Sequence, residues 1–89
     1  MPDLDIVVSN KLGLHARAAA KLTQLAGQFS SEIFISKGAR RVNAKSIMGV
    51  MMLAAGIHTS VKLEASGSDA DRALDAIQKL FDDKFGEGE

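Results

Sequence analysis

An α+β fold is the class this sequence predicts: one antiparallel sheet of four strands, covered on one side by three helices. Three observations carry the prediction. Short β-rich runs and longer helical runs follow one another in the order β-α-β-β-α-β-α. The two long helical runs each gather their apolar residues on one stripe, so each has a face to bury. Two strand-like runs are separated only by a tight turn, which makes them antiparallel neighbours.

Each element has its own signal. Residues 4–8 (Leu-Asp-Ile-Val-Val) read as a first strand, closed by polar Ser9-Asn10-Lys11 and the permissive Gly13. From Ala16 to Ala26 the residues Ala19, Leu22, Leu25 and Ala26 recur at helical spacing, and Gly27 is the expected stop. Residues 32–36 are β-rich; Lys37-Gly38-Ala39 is a turn, and residues 40–43 return as a short strand. Ser46 opens a short helix from Ile47 to about Ala54, which Gly56 ends, with Val50, Leu53 and Ala54 turned to the core. Thr59 to Ala65 alternates Val61, Leu63 and Ala65 with Lys62 and Glu64, the pattern of a half-buried strand. After a Ser66-Gly67 turn, Ser68 and Asp71 resemble a capping box for a last helix that buries Ala73, Leu74, Ile77, Leu80 and Phe81. Residues 86–89 are expected to fray.

Composition narrows the function. Eighty-nine residues are read as one domain, 1–89, large enough for a modest core. With no cysteine there is neither a disulfide framework nor thiol chemistry. No early run has the form of a signal peptide, and none approaches the ~20 apolar residues of a membrane span, so the expectation is a cytoplasmic protein without membrane insertion. Eleven basic residues balance eleven acidic ones, which argues against a general nucleic-acid binder. An RNA-binding sheet would also want exposed aromatics, and Phe34 is the only aromatic on an expected strand. The bases Lys11, Arg17, Lys21, Lys37, Arg40, Arg41 and Lys45 fall in the first half, where they can form a basic face around His15 for an acidic protein partner. Arg40 and Arg41 are most simply solvated charges on the hairpin.

Two stretches carry chemistry. His15 stands where the first strand's loop meets the first helix, with Arg17 two residues on. Unpaired N–H groups and the positive end of the helix dipole gather there and favour an anion. A ring nitrogen can take and release a phosphoryl group, and Arg17 can fork two hydrogen bonds onto it. A lone histidine is more often surface decoration; the helix start, Gly13 and Arg17 favour a phosphoryl carrier. The second stretch is Lys45 to Met52. Ser46 is an N-cap, and a phosphate there would be tolerated by the helix end while adding negative charge to the surface. The following helix is apolar nearly all round, so either it is wholly buried or Ile47, Met48 and Met51 are exposed as a docking patch. His58 has no Cys, Asp or Glu at ligand spacing and reads as a loop residue; no metal site is expected. No glycine-rich phosphate loop, catalytic triad or carboxylate pair points to a self-contained enzyme.

Asn10-Lys11-Leu12-Gly13-Leu14-His15-Ala16-Arg17 and Lys45-Ser46-Ile47-Met48-Gly49-Val50-Met51 together resemble the two signatures of the HPr family, the histidine phosphocarriers of the bacterial phosphoenolpyruvate-dependent phosphotransferase system. The resemblance covers nearly the whole chain. It implies the open-faced β-sandwich, and a relay without a cofactor: enzyme I phosphorylates Nδ1 of His15, which passes the group to an enzyme IIA protein or domain. It implies that Arg17 and the backbone amides of Ala16 and Arg17 hold the phosphate, and that HPr kinase/phosphorylase modifies Ser46. Ala20, Gln24, Ile47, Met48 and Met51 match the family's docking surface, and the protein is expected to be a monomer. One position departs: Ala18 stands where the family usually has proline, and the helix is expected to survive with a less rigid entry. Two other readings stand beside sugar uptake. One is a nitrogen-branch (NPr-type) or purely regulatory carrier. The other is a non-phosphorylated adaptor using the Met-rich face.

Overall fold

A computed structural model describes residues 1–87. Four strands form one sheet in the order β1-β4-β2-β3, every neighbouring pair antiparallel. They are β1 (Asp3–Val7), β2 (Glu32–Lys37), β3 (Arg40–Asn43) and β4 (Ser60–Ser66). The register puts Ile6 opposite Val61, Leu4 and Ile35 opposite Leu63, and Ile33 opposite Ala65. Since side chains alternate across a strand, these residues share one face. All but the half-buried Leu4 are buried there.

The helices α1 (Ala16–Ala26), α2 (Ile47–Met52) and α3 (Ala70–Asp82) close that face. Helix α3 lies against β1 and β4, α1 packs beside α3, and α2 bridges α1 and β3. Ala18, Ala19, Leu22, Ala26, Val50, Leu53, Ala73, Ile77 and Phe81 meet the sheet residues in one core. Leu25 and Leu80, expected in the stripes, are only half-buried and pack against its edge. The other face of the sheet is open and carries Asp5, Lys62, Glu64, Glu32 and Phe34.

Several local expectations change. The first helix ends at Gly27 in an ordinary right-handed conformation (φ −66°), so the stop does not exploit glycine's left-handed freedom. Helix α2 is shorter than expected, because Ala54 turns to φ +50° and points to solvent while Ala55 takes the buried place. Its last carbonyls are capped from the hairpin: Arg40 Nη1 donates to Met52 O at 2.7 Å, and Lys37 Nζ to Leu53 O and Ala54 O, each at 3.2 Å. Arg41 is also more than a solvated charge, with its guanidinium 3.8 Å above the Phe34 ring and Nε 3.0 Å from Glu64 Oε1. Both arginines therefore do structural work that local sequence does not announce.

The capping box at Ser68 does not form. Asp69 is the N-cap of α3, and its carboxylate makes no capping bond. It turns instead to the loop before β2 and accepts from the backbone N–H and hydroxyl groups of Ser30 and Ser31. Four donors on one carboxylate outcompete a single amide. The Ser31 hydroxyl is the largest cause, and the Ser30 amide the next, of a carboxyl lowered from 3.8 to about 2.

The expected fraying is overturned at residues 86 and 87; residues 88 and 89 lie outside the described residues. After α3 the chain makes a 3-10 turn, Lys84–Gly86, in which all three residues have positive φ. Phe85 is buried there, edge-on to Phe81 with ring centroids 4.8 Å apart. A buried aromatic ring anchors the 84–86 turn.

Candidate functional site

His15 is the N-cap of α1, in extended conformation (φ −72°, ψ −179°). The first intrahelical bond runs from Ala19 N to His15 O at 2.8 Å. The amides of Ala16, Arg17 and Ala18 precede it and have no carbonyl one turn back. Ala18 is fully buried and the helix starts on schedule, so alanine replaces the family's usual proline without loss of the element. It also retains an N–H that proline would lack.

The loop that delivers His15 is held from behind. Gly13 adopts φ +65° and packs so closely on the Ala55–Gly56 backbone that an added Cβ would lie 2.7 Å from Gly56 Cα. Leu14 N donates to Ala55 O at 2.9 Å, and Leu14 is buried. The fully buried Asn10 closes the loop through its Nδ2, which donates to Gly13 O at 2.7 Å. His15 is thus presented by a braced loop rather than a floppy one.

An open cleft of about 640 Å³ surrounds it, lined by Lys11, Leu12, His15, Ala16, Arg17, Gly86 and Glu87. Arg17 is exposed and, among the described residues, makes no hydrogen bond or ion pair, so its guanidinium is available to an incoming anion. The expected basic face is only partly assembled. Lys11 and Arg17 line the cleft, whereas Lys21 binds Phe85 O, Lys45 binds Phe29 O, and Lys37 and Arg40 cap α2.

Glu87 enters this cleft from the far end of the sequence. Its Oε2 lies 2.5 Å from His15 Nε2, and its Oε1 accepts from Asn10 Nδ2 at 3.1 Å. The bond with His15 is the chief cause that holds the Glu87 carboxyl below its usual value; desolvation works against it and Asn10 with it. Sequence reasoning missed both Asn10 and Glu87. Nothing local marks a glutamate five residues past a helix end as the neighbour of a residue 72 positions earlier.

The second stretch lies on the adjoining helix. Ser46 is exposed and caps α2, its Oγ accepting from Gly49 N at 3.1 Å. Only Val50 of that helix is fully buried, which excludes a wholly buried α2. Ile47, Met48 and Met51 are exposed, Met48 by 71%. Helix α1 packs against α2, with Gln24 exposed and Ala20 half-buried on it. Met52 and Leu12 are exposed as well, and Leu12 lines the cleft beside His15. His58 is an exposed loop residue with φ +71°.

A small α+β module presenting a histidine at a helix start beside an exposed arginine and an apolar patch is a phosphoryl-carrier fold in outline. Comparison with known proteins makes the assignment specific. Residues 3–83 match the family model described as the PTS HPr component phosphorylation site. The chain is 60% identical over 85 residues to the phosphocarrier protein HPr of Cupriavidus necator, covering 96% of each chain. It is 49% identical to the phosphocarrier protein NPr of Shewanella violacea, covering 92% of this chain and 90% of that one. The crystal structure of HPr-C-His from Thermoanaerobacter tengcongensis superposes with a TM-score of 0.95 at 47% identity, covering 98% of both chains. The protein belongs to the HPr family of phosphotransferase-system phosphocarriers. Its open-faced sheet under three helices is that family's fold. Among the described residues no helix is long and apolar enough to cross a membrane.

Proposed function

We propose that this protein carries a phosphoryl group on Nδ1 of His15, taking it from phosphorylated enzyme I and giving it to enzyme IIA proteins or domains. The observation that carries the reading is the meeting, in one open cleft, of His15, the unpartnered Arg17 and the first amides of α1. Transfer of a phosphoryl group is mostly positioning and charge stabilisation, and this set supplies both. The Nδ1 lone pair attacks phosphorus, the donor's bond to phosphorus breaks, and its electron pair returns to the donor. Arg17, with the amides of Ala16 and Arg17, holds the equatorial oxygens. No cofactor enters the step, and the protein acts as a relay component rather than a self-contained enzyme.

Residues 1–89 act as one monomeric domain in the cytoplasm. Ala20, Gln24, Ile47, Met48 and Met51 form the docking patch for enzyme I and enzyme IIA. Ser46 is the site for HPr kinase/phosphorylase: it is exposed, and a phosphate there would sit beside the patch and oppose docking by charge and desolvation. A nitrogen-branch or purely regulatory carrier is the second reading, favoured by the likeness to NPr; the higher identity to HPr and the Lys45-Ser46-Ile47-Met48-Gly49 block favour the first.

The test is incubation with enzyme I and radiolabelled phosphoenolpyruvate. An acid-labile, alkali-stable label that disappears in His15→Ala, with circular dichroism unchanged, is the expected result. Label retained in His15→Ala overturns the assignment, and no label on the wild-type protein points to the adaptor.

A further inference from the structure

Gly86 and Glu87 are built into the cleft by contacts that phosphoryl carriage alone does not require. Lys84 (φ +53°) and Phe85 (φ +56°) both occupy the left-handed region, which non-glycine residues rarely adopt. Such conformations persist only where the surroundings over-determine them, and they gather at functional sites. Here three contacts hold the turn. Phe85 is buried against Phe81, its carbonyl accepts from Lys21 Nζ at 2.5 Å, and Glu87 N donates to Lys84 O at 3.0 Å. The product of this geometry is one carboxylate, 13% exposed in its side chain, against the Nε2 edge of His15.

We propose that Glu87 is the positioning residue of His15: its carboxylate accepts the hydrogen bond of Nε2–H and thereby leaves Nδ1 as the nitrogen with the free lone pair. An ionised carboxylate has no proton to donate, so the short contact assigns the proton to Nε2. Asn10 Nδ2, itself oriented by Gly13 O, steadies the other carboxylate oxygen. A carboxylate that orients a histidine through one ring nitrogen while the other does the chemistry is a general catalytic arrangement.

The inference rests on the carrier reading given above and adds an electrostatic part to it. When the Nδ1 lone pair forms its bond to phosphorus, the donor's bond breaks with its electron pair returning to the donor. The Nε2 proton stays in place, so positive charge develops on the ring. Glu87 faces that charge from the side away from the lone pair. The onward step reverses these movements: the electron pair of the Nδ1–P bond returns to Nδ1, and the ring is again neutral with its proton on Nε2.

Glu87→Gln and Glu87→Ala in the full chain test the assignment. Glutamine keeps an oxygen that accepts from Nε2–H but carries no charge; alanine keeps neither. Two readouts are needed, nitrogen-15 NMR of the unphosphorylated imidazole and single-turnover transfer from phosphorylated enzyme I at varied donor concentration. In the wild-type protein the Nε2 proton should be protected from solvent exchange, and so it should remain in Glu87→Gln, whereas Glu87→Ala should lose that protection. The saturating transfer rate should fall about 10- to 100-fold in Glu87→Ala, the loss expected for a hydrogen bond to a charged group, and less in Glu87→Gln. An unchanged saturating rate, or a change confined to the donor concentration needed for half-saturation, overturns the proposal. So does a glutamine variant that matches alanine in both readouts. Because the NMR readout needs no phosphoryl donor, failure of the wild-type protein to take up phosphate would overturn the carrier reading while leaving the Glu87–His15 contact separately tested.

Discussion

Gly13→Ala is expected to cost far more than a glycine-to-alanine change ordinarily does, and Gly38→Ala provides the yardstick. Both glycines have nearly the same left-handed backbone, φ +65° and +59°. For an alanine that conformation costs roughly 1–2 kcal/mol, offset by about 0.4–1 kcal/mol from the stiffer unfolded chain. At Gly38 nothing lies within 4 Å of the new Cβ, so the net change should stay near or below about 1 kcal/mol. At Gly13 the same Cβ would lie 2.7 Å from Gly56 Cα and closer still to Ala55 O. Backbone must move there, and forced displacement in a packed region costs about 1–3 kcal/mol. Weakening of the Leu14 N–Ala55 O bond adds roughly 0.5–1.5 kcal/mol. The net for Gly13→Ala is then about 2–5 kcal/mol, and the excess over Gly38→Ala isolates the close approach. Urea unfolding followed by circular dichroism measures both variants. At a slope of about 1 kcal/mol per molar urea, the Gly13 midpoint should fall by about 2–5 M and the Gly38 midpoint by about 1 M or less, each figure following from that slope. Because this contact braces the loop that presents His15, phosphate acceptance by folded Gly13→Ala should fall as well. Equal losses in the two variants would refute the reasoning, since they would mean that the approach of Gly13 to Ala55 and Gly56 constrains nothing.

Two further outcomes are expected. The Asp69 carboxyl is lowered from 3.8 to about 2, chiefly by the Ser31 hydroxyl. A depressed folded-state value means that its stabilisation is fully present above 3.8 and is lost as pH falls from there toward 2. The urea midpoint of the wild-type protein should therefore drop across that window, with a flatter profile in Asp69→Asn; parallel profiles would remove Asp69 from the acid response. At Ser46 stability and docking should separate. Ser46→Ala removes the bond from Gly49 N and should cost about 0.5–2 kcal/mol while leaving affinity for enzyme I unchanged. Ser46→Asp keeps a good cap but places a charge beside Ile47 and Met48, and calorimetry should show binding weakened by about tenfold or more. Unchanged binding in Ser46→Asp would count against regulation through this serine.

How legible the molecule was depended on the range of the interactions that build each part. The strands and the long helices could be read from apolar periodicity, because a period of two or of 3.6 residues is a local property of the chain. The cap at Ser46 was equally readable, since hydroxyl and acceptor amide are three residues apart. His15 and Arg17 were visible as a pair because a helix start brings near neighbours to one anion-binding end. Several failures sit where a side chain chose a distant partner over a near one. Asp69 was within reach of its own helix, yet it took four donors from a loop 38 and 39 residues earlier. Arg40 and Arg41 look like solvated hairpin charges until the end of α2 comes within reach of the first and Phe34 and Glu64 within reach of the second. Glycine at position 13 reads as simple permissiveness, and only the packed backbone of residues 55 and 56 shows that no side chain fits.

By itself, then, the sequence determined the order of elements, the face that each of the two long helices buries and the pair, His15 and Arg17, on which the proposed function rests. Tertiary structure alone decided what stands behind His15. Phe85 buries itself against Phe81 in a left-handed turn of residues 84–86, and Glu87 reaches His15 across 72 positions. The physical reason is that residues 84–87 have no periodic pattern of their own. Their conformation follows from burying one aromatic ring in a core that must first be assembled from the other elements.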